Sequence, residues 1–129
     1  MKVEVRYNQG AQFSAIADSH QFIIDLSKEK GGSDTGMSPL EVFLLSVGGC
    51  VAVYAQKYCQ GAKIDAAGLT VEVQSDLSEE KPMRFQDIKV AVGLNQDLGN
   101  KKEAFLRFVK NCPIHNTVVH GAAIDISVK

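Results

Sequence analysis

Three cysteines, Cys50, Cys59 and Cys112, are the residues of this chain with the most distinctive chemistry. A thiol reacts as its thiolate, so a reactive cysteine needs surroundings that lower its pKa. The sequence does not open with a basic segment followed by an apolar one, and its cysteine count is odd. We therefore expect a cytoplasmic protein with reduced, reactive thiols rather than a disulfide framework.

Cys50 lies in the stretch SPLEVFLLSVGGCVAVYAQKY, residues 38–58, which is almost wholly apolar in its middle. Ser38 as N-cap, Pro39 at the first helical position and Glu41 three residues after the cap predict the start of a helix that ends near Gly61. A helix that is apolar on all sides is buried. The glycine pair directly before Cys50 costs about 1 kcal/mol per residue relative to alanine, which indicates a close approach to the backbone there.

Cys112 is followed by Pro113, and this pair has two interpretations. Pro113 can begin a new helical turn with Cys112 as its N-cap, which would direct backbone N–H groups at the sulfur. Alternatively, Cys112 is a small hydrophobe of the core. His115 is expected to cap or orient this turn, and a hydrogen bond from it to the thiolate would lower the pKa of the cysteine.

Cys59 is expected to be a bystander. It follows Cys50 by nine residues, so it lies about 13 Å along the helix and on the opposite side. A disulfide requires Cα atoms within about 7 Å, which excludes a Cys50–Cys59 bond within one helix. If two thiols act together, they are Cys50 and Cys112.

The elements that would position these thiols follow from hydrophobic periodicity. Alternating patterns predict strands at 2–7, 12–17, 21–25, 69–77, 84–93 and 124–128, and a second helix is predicted from Lys101 to Asn111. The glycine-rich loop 27–37 is either a linker or a mobile flap. The order β-β-β-α-β-β-α-β predicts an α+β fold: a single domain, residues 1–129, with a mostly antiparallel sheet of about six strands wrapped on the long central helix.

The overall composition is that of a soluble globular protein, with 45% hydrophobic and 22% charged residues. A net charge of −1 gives no electrostatic reason to expect nucleic acid or a membrane as partner. Ser46 and the glycine pair interrupt the longest apolar run, which argues against a membrane span. Because a sheet of this size covers only one face of the central helix, we expect an obligate homodimer in which two such helices pack together.

The segments GMSPLEVFLLSVGGCVAVYA (36–55) and NCPIHNTV (111–118) together resemble the OsmC/Ohr family of osmotically inducible and organic hydroperoxide resistance proteins, and most closely its OsmC-like redox branch. The resemblance implies an intertwined homodimer with two sites at its interface and a peroxidase role in oxidative stress defence. Cys50 would be the peroxidatic thiolate that becomes a sulfenic acid, and Cys112 the resolving thiol. An external thiol or dithiol would reduce the disulfide, with no metal or flavin cofactor. An apolar pocket around Cys50 would favour organic hydroperoxides, lined by Phe43, Val47, Val51 and Tyr54.

The sequence departs from the family at its charged positions. Family members carry an acid directly after the helix-starting proline, where this chain has Leu40 and places its acid at Glu41. Glu41 is either a catalytic residue, reaching the site of a partner subunit, or the second half of the capping box. Family members also carry an arginine upstream of the helix that holds the thiolate and the acid. In this chain the sole upstream arginine is Arg6, in the first predicted strand, so Lys28 or Lys30 would have to supply the positive charge instead.

Two other functions are considered. Cys112, His115 and His120, with Cys50, suggest a Cys/His metal site, although the spacing fits no zinc signature. The second alternative to the peroxidase is a dimeric small-ligand-binding or redox-sensing protein on the same fold without peroxidase turnover. Turnover of an organic hydroperoxide separates this alternative from the enzyme.

Overall fold

The structure, a computed structural model, describes residues 1–128, and its backbone forms two compact units. The first unit is Met1–Phe43 and the second begins at Leu44. The first unit contains three strands, and the second contains two strands and two helices. One long helix begins in the first unit and ends in the second.

The first unit is an antiparallel meander of β1 (Glu4–Gln9), β2 (Gln12–Ala17) and β3 (His20–Ile24). Each strand agrees with its predicted position to within two residues at both ends. The tight turn between β1 and β2 requires a left-handed backbone, which Gly10 supplies at φ 53°. Tyr7 and Phe13, which face each other across β1 and β2, pack edge to face with their ring centroids 5.6 Å apart.

A buried carboxylate organises the loop that follows β3. Asp25 is 1% exposed and accepts hydrogen bonds from the Thr35 hydroxyl at 2.6 Å and from the backbone N–H groups of Leu26, Ser33 and Thr35. The Thr35 hydroxyl is the largest cause of the lowered pKa of Asp25, which burial opposes. The loop predicted as a linker or a flap is therefore held by hydrogen bonds to the Asp25 carboxylate. It includes a short 3₁₀ helix at Lys28–Lys30.

Helix α1 (Pro39–Ala62) begins at the predicted residue. Its start is a capping box: the Ser38 N–H donates to Glu41 Oε2 at 2.7 Å, and the Glu41 N–H donates to Ser38 Oγ at 3.3 Å. By length and a mean hydropathy of 1.4, α1 could cross a membrane, but the core helix of a soluble protein meets the same test. One face is buried within the chain, as in a core helix, and it carries Val47, Gly48, Val51, Ala55 and Cys59.

The opposite face of α1 is uncovered in the single chain. Leu45 and Val53 are 56% and 52% exposed, and Gly49 lies exposed between them at helical spacing. The expectation of a helix buried on all sides is therefore met on one face only. A sheet lies against that face, and covering the other requires a partner, which stays a prediction.

The second unit packs a β-hairpin, α1 and two short helices around one core. Strands β4 (Thr70–Leu77) and β5 (Phe85–Gly93) pair antiparallel. A Cβ on Gly48 would lie 2.9 Å from Val73 Cγ2, so a glycine is needed where α1 meets β4. This contact is the close approach that the glycine pair predicts. Helices α2 (Lys102–Val109) and α3 (Pro113–His120) follow. One core cluster of buried side chains comprises Val51, Ala55, Phe105, Val109 and Cys112.

Two features of the predicted fold are wrong. Residues 113–120 form a helix instead of a lead into a strand, and residues 121–128 have no regular secondary structure. The described residues therefore contain five strands, not six, in the order β-β-β-α-β-β-α-α, and they form a three-stranded and a two-stranded sheet. Residues 121–128 pair with no strand among residues 1–128, and Ile124 and Ile126 are 84% and 88% exposed. The α+β class and antiparallel pairing are confirmed, whereas the single domain and the homodimer stay predictions.

Candidate functional site

The structure brings Cys50 and Cys112 together in the core of the second unit. Cys112 is a fully buried member of the core, and the half-buried Cys50 packs against that core. The Cys50 thiol lies close enough to Cys112 to raise the pKa of Cys112, and both cysteines are free. Two sulfurs from distant parts of the sequence thus meet at one place, within one unit of the chain.

Cys112 is the N-cap of α3. Its backbone is extended, with φ −65° and ψ 140°, and Pro113 occupies the first turn of the helix. The Cys112 Sγ accepts a hydrogen bond from the His115 N–H at 3.3 Å. Cys112 is also 0% exposed within the core. Both interpretations of this residue therefore hold at once: Cys112 is a core side chain and a helix cap.

Burial raises the pKa of the Cys112 thiol, and the neighbouring Cys50 thiol raises it further. The backbone N–H groups of His115 and Ile114 act in the opposite direction but do not reverse the shift. Cys112 is therefore a protonated thiol at neutral pH. Of the two residues, Cys50 is the one that is partly exposed to solvent.

Cys59 is fully buried, and burial raises the pKa of its thiol. It lies on α1 more than two turns beyond Cys50. A protonated thiol in the packed core is a hydrophobic side chain, as expected of a bystander.

Glu41 forms hydrogen bonds within the capping box of α1. Its carboxylate accepts from the backbone N–H of Ser38 and from the Ser38 hydroxyl, at 2.7 and 2.8 Å. These bonds lower the pKa of Glu41, and the positive charge of Lys30 lowers it further. The capping role thus has direct hydrogen bonds, while the catalytic role of Glu41 stays a prediction.

The basic residues upstream of α1 differ in their surroundings. Arg6 lies on β1 and forms an exposed ion pair with Glu4, with 2.6 Å between Arg6 Nε and Glu4 Oε1. Lys28 and Lys30 lie on the 3₁₀ helix of the Asp25 loop. Glu41 is the only acidic residue in the first turn of α1, and the positive charge of Lys30 acts on its carboxylate.

An apolar cavity of 220 Å³ opens in the second unit. Two of the four side chains predicted to line a pocket, Val47 and Val51, contribute to it, whereas Phe43 and Tyr54 do not. The other walls, from β5 and α2, were not predicted, although the alternation in β5 indicates one inward-facing row. The complete lining is Val47, Val51, Ile88, Val90, Val92, Leu106, Val109, Lys110 and His115.

His115 contacts the sulfur through its backbone instead of its imidazole. The predicted orienting hydrogen bond is the His115 N–H to Cys112 Sγ, and the His115 Nδ1 is buried without a hydrogen-bond partner. Residues 1–128 contain no group of three or more histidine, cysteine or acidic side chains placed to hold a metal ion. The Cys/His metal site considered from the sequence therefore lacks a set of ligands.

Comparisons with known proteins agree on the architecture. The family model described as OsmC-like protein matches residues 31–127. Protein YhfA of Escherichia coli K12 is 29% identical over 91 residues, which cover 70% of this chain and 65% of YhfA, so the match spans just under two thirds of that relative.

Two crystal structures show the same fold. One is a Psychrobacter arcticus protein described as an osmotic stress induced and detoxification response protein. It has a TM-score of 0.81 at 23% identity, and the match covers 91% of this chain and 87% of that protein's chain. An organic hydroperoxide resistance protein OsmC from Legionella pneumophila has a TM-score of 0.61 at 18% identity, covering 92% of this chain and 89% of its own. At these identities the likeness establishes the fold.

Proposed function

The chain belongs to the OsmC-like protein family, and from that premise we propose that it is a thiol-dependent peroxidase that reduces organic hydroperoxides in oxidative stress defence. The observation that carries the proposal is that Cys50 packs against the core cluster that contains Cys112, close enough for its thiol to raise the pKa of Cys112. A peroxidase cycle through a disulfide needs two sulfurs within reach of each other. It also needs one of them accessible to a peroxide, and Cys50 meets that condition.

The cycle assigns one step to each sulfur. The Cys50 thiolate attacks the O–O bond of ROOH, giving Cys50–SOH and an alkoxide that takes up a proton as ROH. Cys112 then attacks the sulfenic sulfur, forming the Cys50–Cys112 disulfide, and its proton leaves with the hydroxyl as water. An external thiol or dithiol restores both thiols by exchange. The raised pKa of Cys112 supports this division, because the protonated sulfur is the poorer first nucleophile.

The cavity supports an organic substrate. Seven of its nine lining residues are aliphatic, and two of these, Val47 and Val51, lie on α1 on either side of the turn that carries Cys50. Apolar surface is favourable for an alkyl or aryl group and gives no advantage to hydrogen peroxide. We place the R group of the hydroperoxide in this cavity.

The proposed functional unit is a cytoplasmic homodimer that packs through α1. Gly48 is explained by its contact with β4, whereas a Cβ on Gly49 would meet nothing within 4 Å. Gly49 lies between the exposed side chains of Leu45 and Val53, so a second helix could approach the backbone closely at this point. In such a dimer, Glu41 would take its catalytic role at the site of the partner subunit. Analytical ultracentrifugation of the wild-type protein and of Leu45→Glu tests the proposed dimer. We expect a dimeric wild-type protein and a weakened dimer in the variant, and a monomeric wild-type protein would contradict the proposal.

The peroxidase test uses cumene hydroperoxide with dithiothreitol as reductant. Cys50→Ser should abolish turnover, and Cys112→Ser should slow it, because its sulfenic acid can be reduced only by direct attack of dithiothreitol. Cys59→Ser is the matched control and should retain activity, since Cys59 lies away from the thiol pair. Unchanged turnover in either of the first two variants would refute the cycle.

A second candidate function is a redox-sensing or ligand-binding protein without turnover. It is favoured by the Arg6–Glu4 ion pair, since the sole upstream arginine is engaged on β1. In this case the Cys50–Cys112 disulfide would form once per oxidation, and the hydroperoxide would not be consumed catalytically. The same assay separates the two by rate, because with reductant in excess a sensor consumes the hydroperoxide far more slowly than a peroxidase.

A further inference from the structure

The two sulfurs of the proposed disulfide differ in how an attacking thiol can reach them. Cys50 is half-buried, whereas Cys112 is 0% exposed. Thiol–disulfide exchange is a displacement at sulfur, and its rate depends on which sulfur is attacked and on access to it. The incoming thiolate must approach along the S–S axis, from the side opposite the leaving sulfur.

Access is restricted at Cys112. Its side chain is packed in the buried core cluster that also contains Phe105 and Val109. These two side chains are 2% and 5% exposed. Cys50 is only partly buried, so access favours Cys50 as the point of attack.

The leaving sulfur also has a defined partner. The Cys112 Sγ lies at the N-cap of α3 and accepts the His115 N–H at 3.3 Å. This N–H stabilises negative charge on the sulfur, as does the N-terminal end of the helix dipole. Burial acts against a thiolate at this position. The cap therefore compensates part of the cost of releasing a thiolate into the core, and no comparable helix terminus serves Cys50 in the middle of α1.

We propose that the thiolate of the reductant attacks Cys50 Sγ of the oxidised protein and that Cys112 leaves as a thiolate at the N-cap of α3. This inference rests on the proposed Cys50–Cys112 disulfide. The S–S bond breaks as a new bond forms between the reductant sulfur and Cys50, and the electron pair passes to Cys112, which then takes up a proton. A second reductant thiolate attacks the reductant sulfur of the mixed disulfide and releases Cys50 as a thiolate.

The test maps the first adduct. Cys59→Ser protein is oxidised with diamide, which does not depend on peroxidase activity, and is then exposed briefly to 2-mercaptoethanol. The reaction is stopped in acid, the free thiols are alkylated with N-ethylmaleimide in denaturant, and the peptides are analysed by mass spectrometry. We expect mercaptoethanol on Cys50 with maleimide on Cys112, at least tenfold over the reverse pattern. The same exchange in guanidinium should give similar amounts of both patterns, because the preference arises from the fold.

The outcomes separate this inference from the proposed function. Equal adducts in the folded protein, a preference for Cys112, or a preference that persists after unfolding would overturn the inference. Failure of diamide to join Cys50 and Cys112 would overturn both proposals. A disulfide that forms and is opened at Cys50, in a protein without hydroperoxide turnover, would overturn the peroxidase alone.

Discussion

The double role of Cys112, as core side chain and helix cap, predicts an unusual order of stabilities among its variants. In Cys112→Ser the hydroxyl oxygen replaces the sulfur that accepts the His115 N–H, whereas in Cys112→Ala the cap is lost. Loss of a serine cap costs typically about 1 kcal/mol. We therefore expect the serine variant to exceed the alanine variant by about 1 kcal/mol in free energy of unfolding, or about 3–5 °C in Tm.

Cys59 provides a matched control because it is also 0% exposed but lies inside α1 without a capping role. A hydroxyl buried at this position gains no backbone donor to accept from, and a buried unsatisfied polar group costs about 1–3 kcal/mol. Serine also has a lower helix propensity than alanine. At Cys59 the order should therefore be reversed, with Cys59→Ala more stable than Cys59→Ser.

The assay is urea unfolding followed by circular dichroism, at pH 7 with reductant present and at one fixed protein concentration. All four variants are compared, so that the sign of the serine-minus-alanine difference is read at each position. The reasoning would be refuted if alanine were equal to or better than serine at position 112 while the order at position 59 is as expected. Such a result would mean that the sulfur does not stabilise α3 as its cap.

Three further predictions follow from other contacts. Gly48→Ala should destabilise the protein relative to Gly61→Ala by about 1–3 kcal/mol in thermal unfolding, because only the first places a methyl group against β4; equal stability would contradict the close approach. Asp25 has a lowered folded pKa, so its stabilising contribution is present above about pH 4 and is lost as pH falls towards that lowered value. Asp25→Asn should therefore lower Tm at pH 7 and flatten the acid limb of a pH–Tm profile, and a parallel profile would refute this. Iodoacetamide at pH 7.5 should modify Cys50 before Cys112, as measured by peptide mass, because Cys112 is buried and its pKa is raised; modification of Cys112 first would contradict the assigned roles.

The sequence predicted the elements whose signals are local. The start of α1 was predictable because Ser38, Pro39 and Glu41 specify a capping box through neighbouring residues, and the structure contains its hydrogen bonds. The helix that begins at Pro113 was only an alternative, because Cys112-Pro113 fits both the end of one helix and the start of another. Its cap became visible once the sulfur was placed near the His115 N–H.

Features that depend on distant contacts were not predictable in the same way. The alternation of residues 124–128 is typical of a strand, but a strand also needs a paired neighbour, and this segment pairs with no strand among the described residues. The walls of the cavity come from α1, β5 and α2, and their meeting depends on tertiary packing. The meeting of Cys50 and Cys112 was expected from the family resemblance, and its geometry had to come from the structure.

The N-cap of α3 connects local order with oxidation state. No residue of Pro113–His120 is fully buried, so the Cys112 cap is an important anchor of its first turn. Forming a disulfide brings Cys112 Sγ within covalent distance of Cys50 and changes the acceptor that the His115 amide meets. The redox state of the two sulfurs thereby alters how firmly the first turn of α3 is held.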